Sequence, residues 1–123
     1  MKTSMPYKTT WELHGLLTEW HGHSTNAEMV HMQEQVHCHP EFDTVRYSIH
    51  DFSKCESFSP SSYDVEFSAA IDGAASRTSK LLKIAIVAAN AGVSDMVSRY
   101  VDLGLSPYPV KFFATLREAR EWV

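Results

Sequence analysis

The stretch from Leu82 to Ala89 constrains the fold more than any other part of the chain. It reads L-K-I-A-I-V-A-A, apolar but for Lys83, with no alternation of apolar and polar residues. A strand that is apolar on both faces belongs inside a parallel sheet covered by helices. The run is far too short to span a bilayer.

The segments around it agree. Tyr7, Thr9, Trp11 and Leu13 alternate with Lys8, Thr10 and Glu12, the period-2 pattern of a half-buried strand. His14-Gly15 separates this strand from a second at residues 16–21, which implies an antiparallel hairpin. Thr25 with Glu28 has capping-box spacing, so a first helix is expected over about residues 25–37, with Met29, Met32 and Val36 on one face. A third strand is expected over Val45–Phe52. Ser59-Pro60 suggests an N-cap followed by proline at the first helical position. Tyr63, Phe67, Ala70, Ile71 and Ala74 then form an apolar helical stripe.

After the apolar run, Val93, Met96, Val97, Tyr100 and Val101 give a third helical stripe, which Gly104 is placed to end. Val110–Phe113 reads as a last strand. Thr115 with Glu118 repeats the capping spacing, and Leu116, Ala119, Trp122 and Val123 form the final apolar face. The order ββαβαβαβα predicts an α/β fold. It is a single layered domain, with a mostly parallel sheet of about five strands, an N-terminal antiparallel hairpin and about four helices.

Composition excludes several functions. The chain of 123 residues is 44% hydrophobic and 21% charged, as globular proteins are. Its net charge is −4 and no stretch gathers Lys and Arg. Nucleic-acid binding and purely electrostatic membrane contact both need such a cluster. Met1–Tyr7 lacks the apolar core of a secretory signal, and no integral membrane segment is evident, so a cytoplasmic protein is expected. Cys38 follows a helix and Cys55 follows a strand, which sets them at opposite ends of the domain and apart from any disulfide.

Y-S-I-H-D-F at Tyr47–Phe52 and V-K-F-F-A-T-L-R-E-A-R-E-W-V at Val110–Val123 resemble the SpoIIAA-like branch of the STAS-like (sulfate transporter and anti-sigma-factor antagonist) superfamily, known from small bacterial proteins. The resemblance implies a non-enzymatic module acting through a protein partner, switched by a serine phosphorylated at a helix N-terminus. It also implies, by wider analogy, a carrier or sensor of a small apolar or lipid-like ligand. The matching loop, Ser57-Phe58-Ser59-Pro60-Ser61-Ser62-Tyr63, lacks the D-S-S-G-like motif of the antagonists. Ser59, Ser61 and Ser62 are the candidate phosphoacceptors, with helix capping as the plainer role.

In an open parallel sheet, ligands bind beyond the carboxyl ends of the strands. That rule selects a rim of His21, His23, Asp51, Phe52, Ser53, Phe58, Asn90 and Thr115. Asp51, Asn90 and Thr115 also suit caps and turns. His21-x-His23 and His37-Cys38-His39 have metal-ligand spacing, but fall at opposite ends of the domain and are read as scattered exposed histidines. No G-x-S-x-G, P-loop or dinucleotide motif occurs, and nothing asks for a metal or cofactor. An enzyme or metal protein using His21, His23 and Asp51 is the remaining alternative. The partner surface is expected on helices one and two with the loop at 52–62. An exposed first strand would also permit a homodimer.

Overall fold

The computed structural model describes residues 7–88 and 91–123, so the expectations placed on Met1–Pro6, Ala89 and Asn90 lie outside the described residues. Five strands form one sheet in the order β1 (Tyr7–Glu12), β2 (Gly15–Ser24), β3 (Tyr47–Phe58), β4 (Lys83–Val87), β5 (Val110–Phe113). β1 and β2 are antiparallel and every later pair is parallel. Four helices connect or follow them: α1 (Asn26–His37), α2 (Ser62–Ala75), α3 (Ala91–Leu103) and α4 (Leu116–Trp122). This is the α/β architecture expected from the sequence.

Spatial order follows chain order from β2 to β5, so each right-handed crossover steps the same way and puts its helix on the same face. α1, α2 and α3 accordingly bury Met32, Val36, Val65, Val93, Met96 and Val97 against Leu16, Trp20, Ile84 and Ile86. α4 has no strand after it and closes the other face, packing Leu116, Ala119, Trp122 and Val123 on Leu17, Ile49, Ala85 and Val87. β4 alternates between the two clusters, Ile84 and Ile86 to one and Ala85 and Val87 to the other. That is why its sequence is apolar from Ile84 to Val87.

The caps are local and follow the sequence. Thr25 accepts from the Glu28 amide while Glu28 accepts from the Thr25 amide. Thr115 accepts from the Glu118 amide at 3.2 Å. Gly104, at φ +66°, ends α3 in the left-handed conformation.

Three expectations need correction. β3 does not stop at Phe52. It runs to Phe58, because β2 also runs on to Ser24 and offers a pairing edge that far. α2 is capped by Ser61, whose side chain accepts from the Asp64 amide while Asp64 accepts from the Ser61 amide, and not by Ser59. The stripe Tyr63, Phe67, Ala70 and Ala74 turns outward: Tyr63 is 73% and Phe67 45% exposed. Val65, Ser68 and Ala69 face the sheet instead. The last apolar position of α3, Val101, is likewise exposed.

Candidate functional site

The β2–β3 pair continues beyond the rest of the sheet. The last residue of β3 paired to β4 is Asp51, opposite Val87, whereas β2 and β3 stay paired to Ser24 opposite Phe58. Two register shifts interrupt this ribbon, and each inserts an extra residue on the β3 side. Gly22, at φ +60°, stands at the second. Bulges bend and twist a strand. Here they change which residues of β3 face inward, so that Phe52, Cys55 and Phe58 are all buried. Phe52 and Phe58 stack on Trp20 at 5.6 and 6.2 Å between centroids, with planes 7° and 12° apart.

The ribbon therefore carries most of the expected rim within strands and divides it. Phe52 and Phe58 are core residues under α1–α3. Asp51 lies next to Phe52 in the strand, beyond Ile49 on the α4 side, and accepts from the Ser53 amide at 2.9 Å. His21 pairs in register with Lys54. His23 is exposed, with Nδ1 2.7 Å from Ser57 Oγ and Nε2 3.9 Å from a Glu56 carboxylate oxygen. Ser53 is exposed, and Thr115 caps α4. No group of three or more His, Cys, Asp or Glu with metal-holding geometry occurs among the described residues. His39 stacks on Trp11, opposite the start of β2, at 3.8 Å, so the two histidine pairs sit at opposite ends. Cys38 is exposed there, while buried Cys55 pairs with Gly22 near the far end of β2.

A cluster that the sequence did not disclose lies between the sheet and α1–α3. Its centre is Asp72, on the inward face of α2. One carboxylate oxygen accepts from Gln33 Nε2 at 3.1 Å and faces His37 Nε2 at 3.3 Å. The other accepts from the Tyr100 hydroxyl at 2.5 Å. Gln33 also donates to the Ser68 carbonyl and accepts from the Ser68 hydroxyl, at 3.2 and 3.1 Å, which locks α1 to α2. Burial, together with the Asp72 charge, pushes the Tyr100 phenol far above its ordinary range.

Beneath the cluster is a cavity of ≈ 80 Å³. Apolar side chains from both layers, including Leu16, Met32, Ile86 and Val97, make most of its wall. Ser48 and His50 of β3 also line it, and Asn26, Met29, Pro60 and Asp64 reach it from the starts of α1 and α2. Burial pushes the His50 imidazole down to about 4, against the opposite pull of Asp72. The histidines are thus not uniformly exposed: His37 and His50 serve this region, and the Tyr7 hydroxyl lies 2.5 Å from His31 Nδ1. One sequence signal was available. Gln33, Ser68 and Asp72 are polar residues at positions where α1 and α2 must meet.

A mostly parallel sheet with three helices on one face and one on the other defines the class, a small layered α/β protein. A profile described as SpoIIAA-like matches residues 16–123, and the chain belongs to that family. Three solved structures are similar in fold. The anti-sigma factor antagonist SpoIIAA in its unphosphorylated form gives a TM-score of 0.59 at 12% identity, over 94% of this chain and 96% of that one. An uncharacterised DUF3478-family protein with a SpoIIAA-like fold, from Shewanella loihica PV-4, gives 0.59 at 16%, over 99% and 98%. The Bacillus cell fate determinant SpoIIAA in its phosphorylated form gives 0.57 at 14%, over 94% and 97%. Comparison with curated proteins finds no match. No helix among the described residues is long and apolar enough to cross a membrane.

Proposed function

We propose that this chain is a non-enzymatic regulatory module that acts by binding a protein partner through the outer face of α2. The observation that carries this reading is the outward stripe of that helix. Tyr63 and Phe67, 6.4 Å apart between ring centroids, stand largely exposed on a helix whose inward side is already engaged by Gln33 of α1 and Tyr100 of α3. Exposed aromatic side chains grouped on one element are what interface cores use.

Family membership and the fold shared with an anti-sigma factor antagonist support the same reading. The serines at the start of α2 belong to this surface. Ser59, Ser61 and Ser62 are exposed, and Arg99 of α3 donates to the Ser62 hydroxyl at 3.1 Å. A phosphate at Ser61 or Ser62 would meet the helix N-terminus, and at Ser62 the Arg99 guanidinium as well. His21, His23 and Ser53 are proposed as the outer border of the face.

The test is photocrosslinking in the native host. A photoreactive phenylalanine analogue replaces Phe67 in one variant and exposed Glu121 of α4 in another. The expected result is one discrete heavier adduct from position 67, absent from position 121 and lost when Tyr63→Glu is added. Adducts alike from both positions, or none, overturn the reading. An adduct of two identical chains assigns the face to a homodimer instead.

A further inference from the structure

We propose that the cavity beneath α1 and α2 is a binding site for a small uncharged molecule with an apolar body and one hydrogen-bond-accepting oxygen, which Ser48 receives. This goes beyond the partner reading and stands on separate residues.

Size comes first. A water needs roughly 10–15 Å³ of such space, so ≈ 80 Å³ has room for about five to eight water-sized groups. That suits a single ring or a short branched chain. The walls are mostly apolar, and water held there would have few partners. Met29, Met32 and Met96 lie on the helix side, and their unbranched thioethers adapt to an occupant. Asn26 and Met29 of α1 and Pro60 and Asp64 at the start of α2 also line the cavity.

The floor fixes the polar requirement. Trp20 Nε1 can only donate, and it lies 3.3 Å from His50 Nδ1. Nδ1 is therefore the acceptor, and the proton of the neutral ring is on Nε2. Nε2 lies 3.4 Å from Ser48 Oγ, so the ring donates to Ser48. The Ser48 hydroxyl proton then has no acceptor among the described residues, although Ser48 is buried and lines the cavity. An oxygen on the occupant completes the chain Trp20, His50, Ser48, ligand.

Charge selects against ions. Asp72 would repel an anion. A cation would find both Asp72 oxygens already engaged by Gln33, His37 and Tyr100. His50 stays neutral at physiological pH and so offers an anion nothing.

The test is a titration of the intact protein at pH 7, followed by amide chemical shifts. Cyclohexanone, cyclohexylammonium and cyclohexanecarboxylate serve as probes of one shape and three charges. Cyclohexanone is expected to move the amides of Met32, Ser48, His50 and Ser68 in a saturable way. Both ions should bind at least about tenfold more weakly, and Ser48→Ala should weaken cyclohexanone about fivefold, the value of one net hydrogen bond. If Ser48→Ala unfolds, Ser48→Cys makes the same comparison with a weaker donor. Binding of either ion as tight as that of the ketone, no saturable shift, shifts confined to the Tyr63–Phe67 face, or unchanged affinity in the Ser48 variant each overturns the proposal. Loss of the crosslink at Phe67 has no bearing on these shifts, so the two readings fail separately.

Discussion

The two faces of the sheet are built on different terms. Under α4, Leu17, Ile49, Ala85, Val87 and Ala119 form one buried apolar cluster. A short helix of seven residues suffices, and Arg120 fastens it to the start of the chain by a two-point ion pair with Glu12, at 2.7 and 3.0 Å. Under α1–α3 the same sheet carries an aromatic stack, three methionines, a buried histidine, a carboxylate cluster and a cavity. Voids forfeit dispersion contacts, and buried polar groups cost free energy unless they are paired. By those costs the second face is the less tightly packed of the two.

Truncation should separate the faces most sharply. Ile49→Ala is expected to cost about 3–5 kcal/mol in urea unfolding, because Ile49 is fully buried in the tight cluster. Met96→Ala, beside the existing cavity, should cost only about 2 kcal/mol, the low end for such a truncation, since less contact is lost there. Equal costs would erase the distinction.

Acid should act on the cavity face. The His50 pKa is lowered from 6.5 to about 4 in the folded state, so between these values the unfolded chain binds more protons and stability falls as pH falls. The loss begins below pH 6.5 and is complete near pH 4, with a size of about 3 kcal/mol. His50→Phe should remove that part of the slope, measured as the difference between the two unfolding curves across this range. An unchanged slope would mean that water or a rearranged partner solvates the imidazolium.

The smallest effect belongs to the α4 clamp. Glu12 is held below the usual carboxylate range by its hydrogen bonds from Arg120, and Tyr47 adds another at 2.6 Å. Because the pair is partly exposed, Glu12→Gln should cost at most about 1 kcal/mol in thermal or urea unfolding. A larger loss would show that α4 depends on this ion pair more than on its apolar contacts.

Much of the fold was legible because its signals are local. The capping pairs Thr25–Glu28 and Thr115–Glu118 need only neighbours three residues away. The candidate site was less legible. The carboxyl-end rule took residues of the β2–β3 ribbon to lie beyond the strands, because nothing in Asp51–Phe58 shows that β2 continues alongside. Ser59 and Ser61 are both sound caps in sequence, and β3 running to Phe58 leaves Ser61 as the cap used. The Asp72 cluster joins residues 28 to 39 positions apart, and no spacing rule reaches that far.

Sequence alone determined the order of elements, the capped starts of α1 and α4 and the burial of β4 on both sides. Each depends on the intrinsic preference of a short segment and on how often apolar residues recur within it. Only the tertiary structure decided which side of α2 faces the sheet. An amphipathic pattern says that a helix has two sides, but the side buried is the one whose groups find partners on other elements. Here Ser68 and Asp72 found Gln33, His37 and Tyr100, and the more apolar stripe with Tyr63 and Phe67 was left outside.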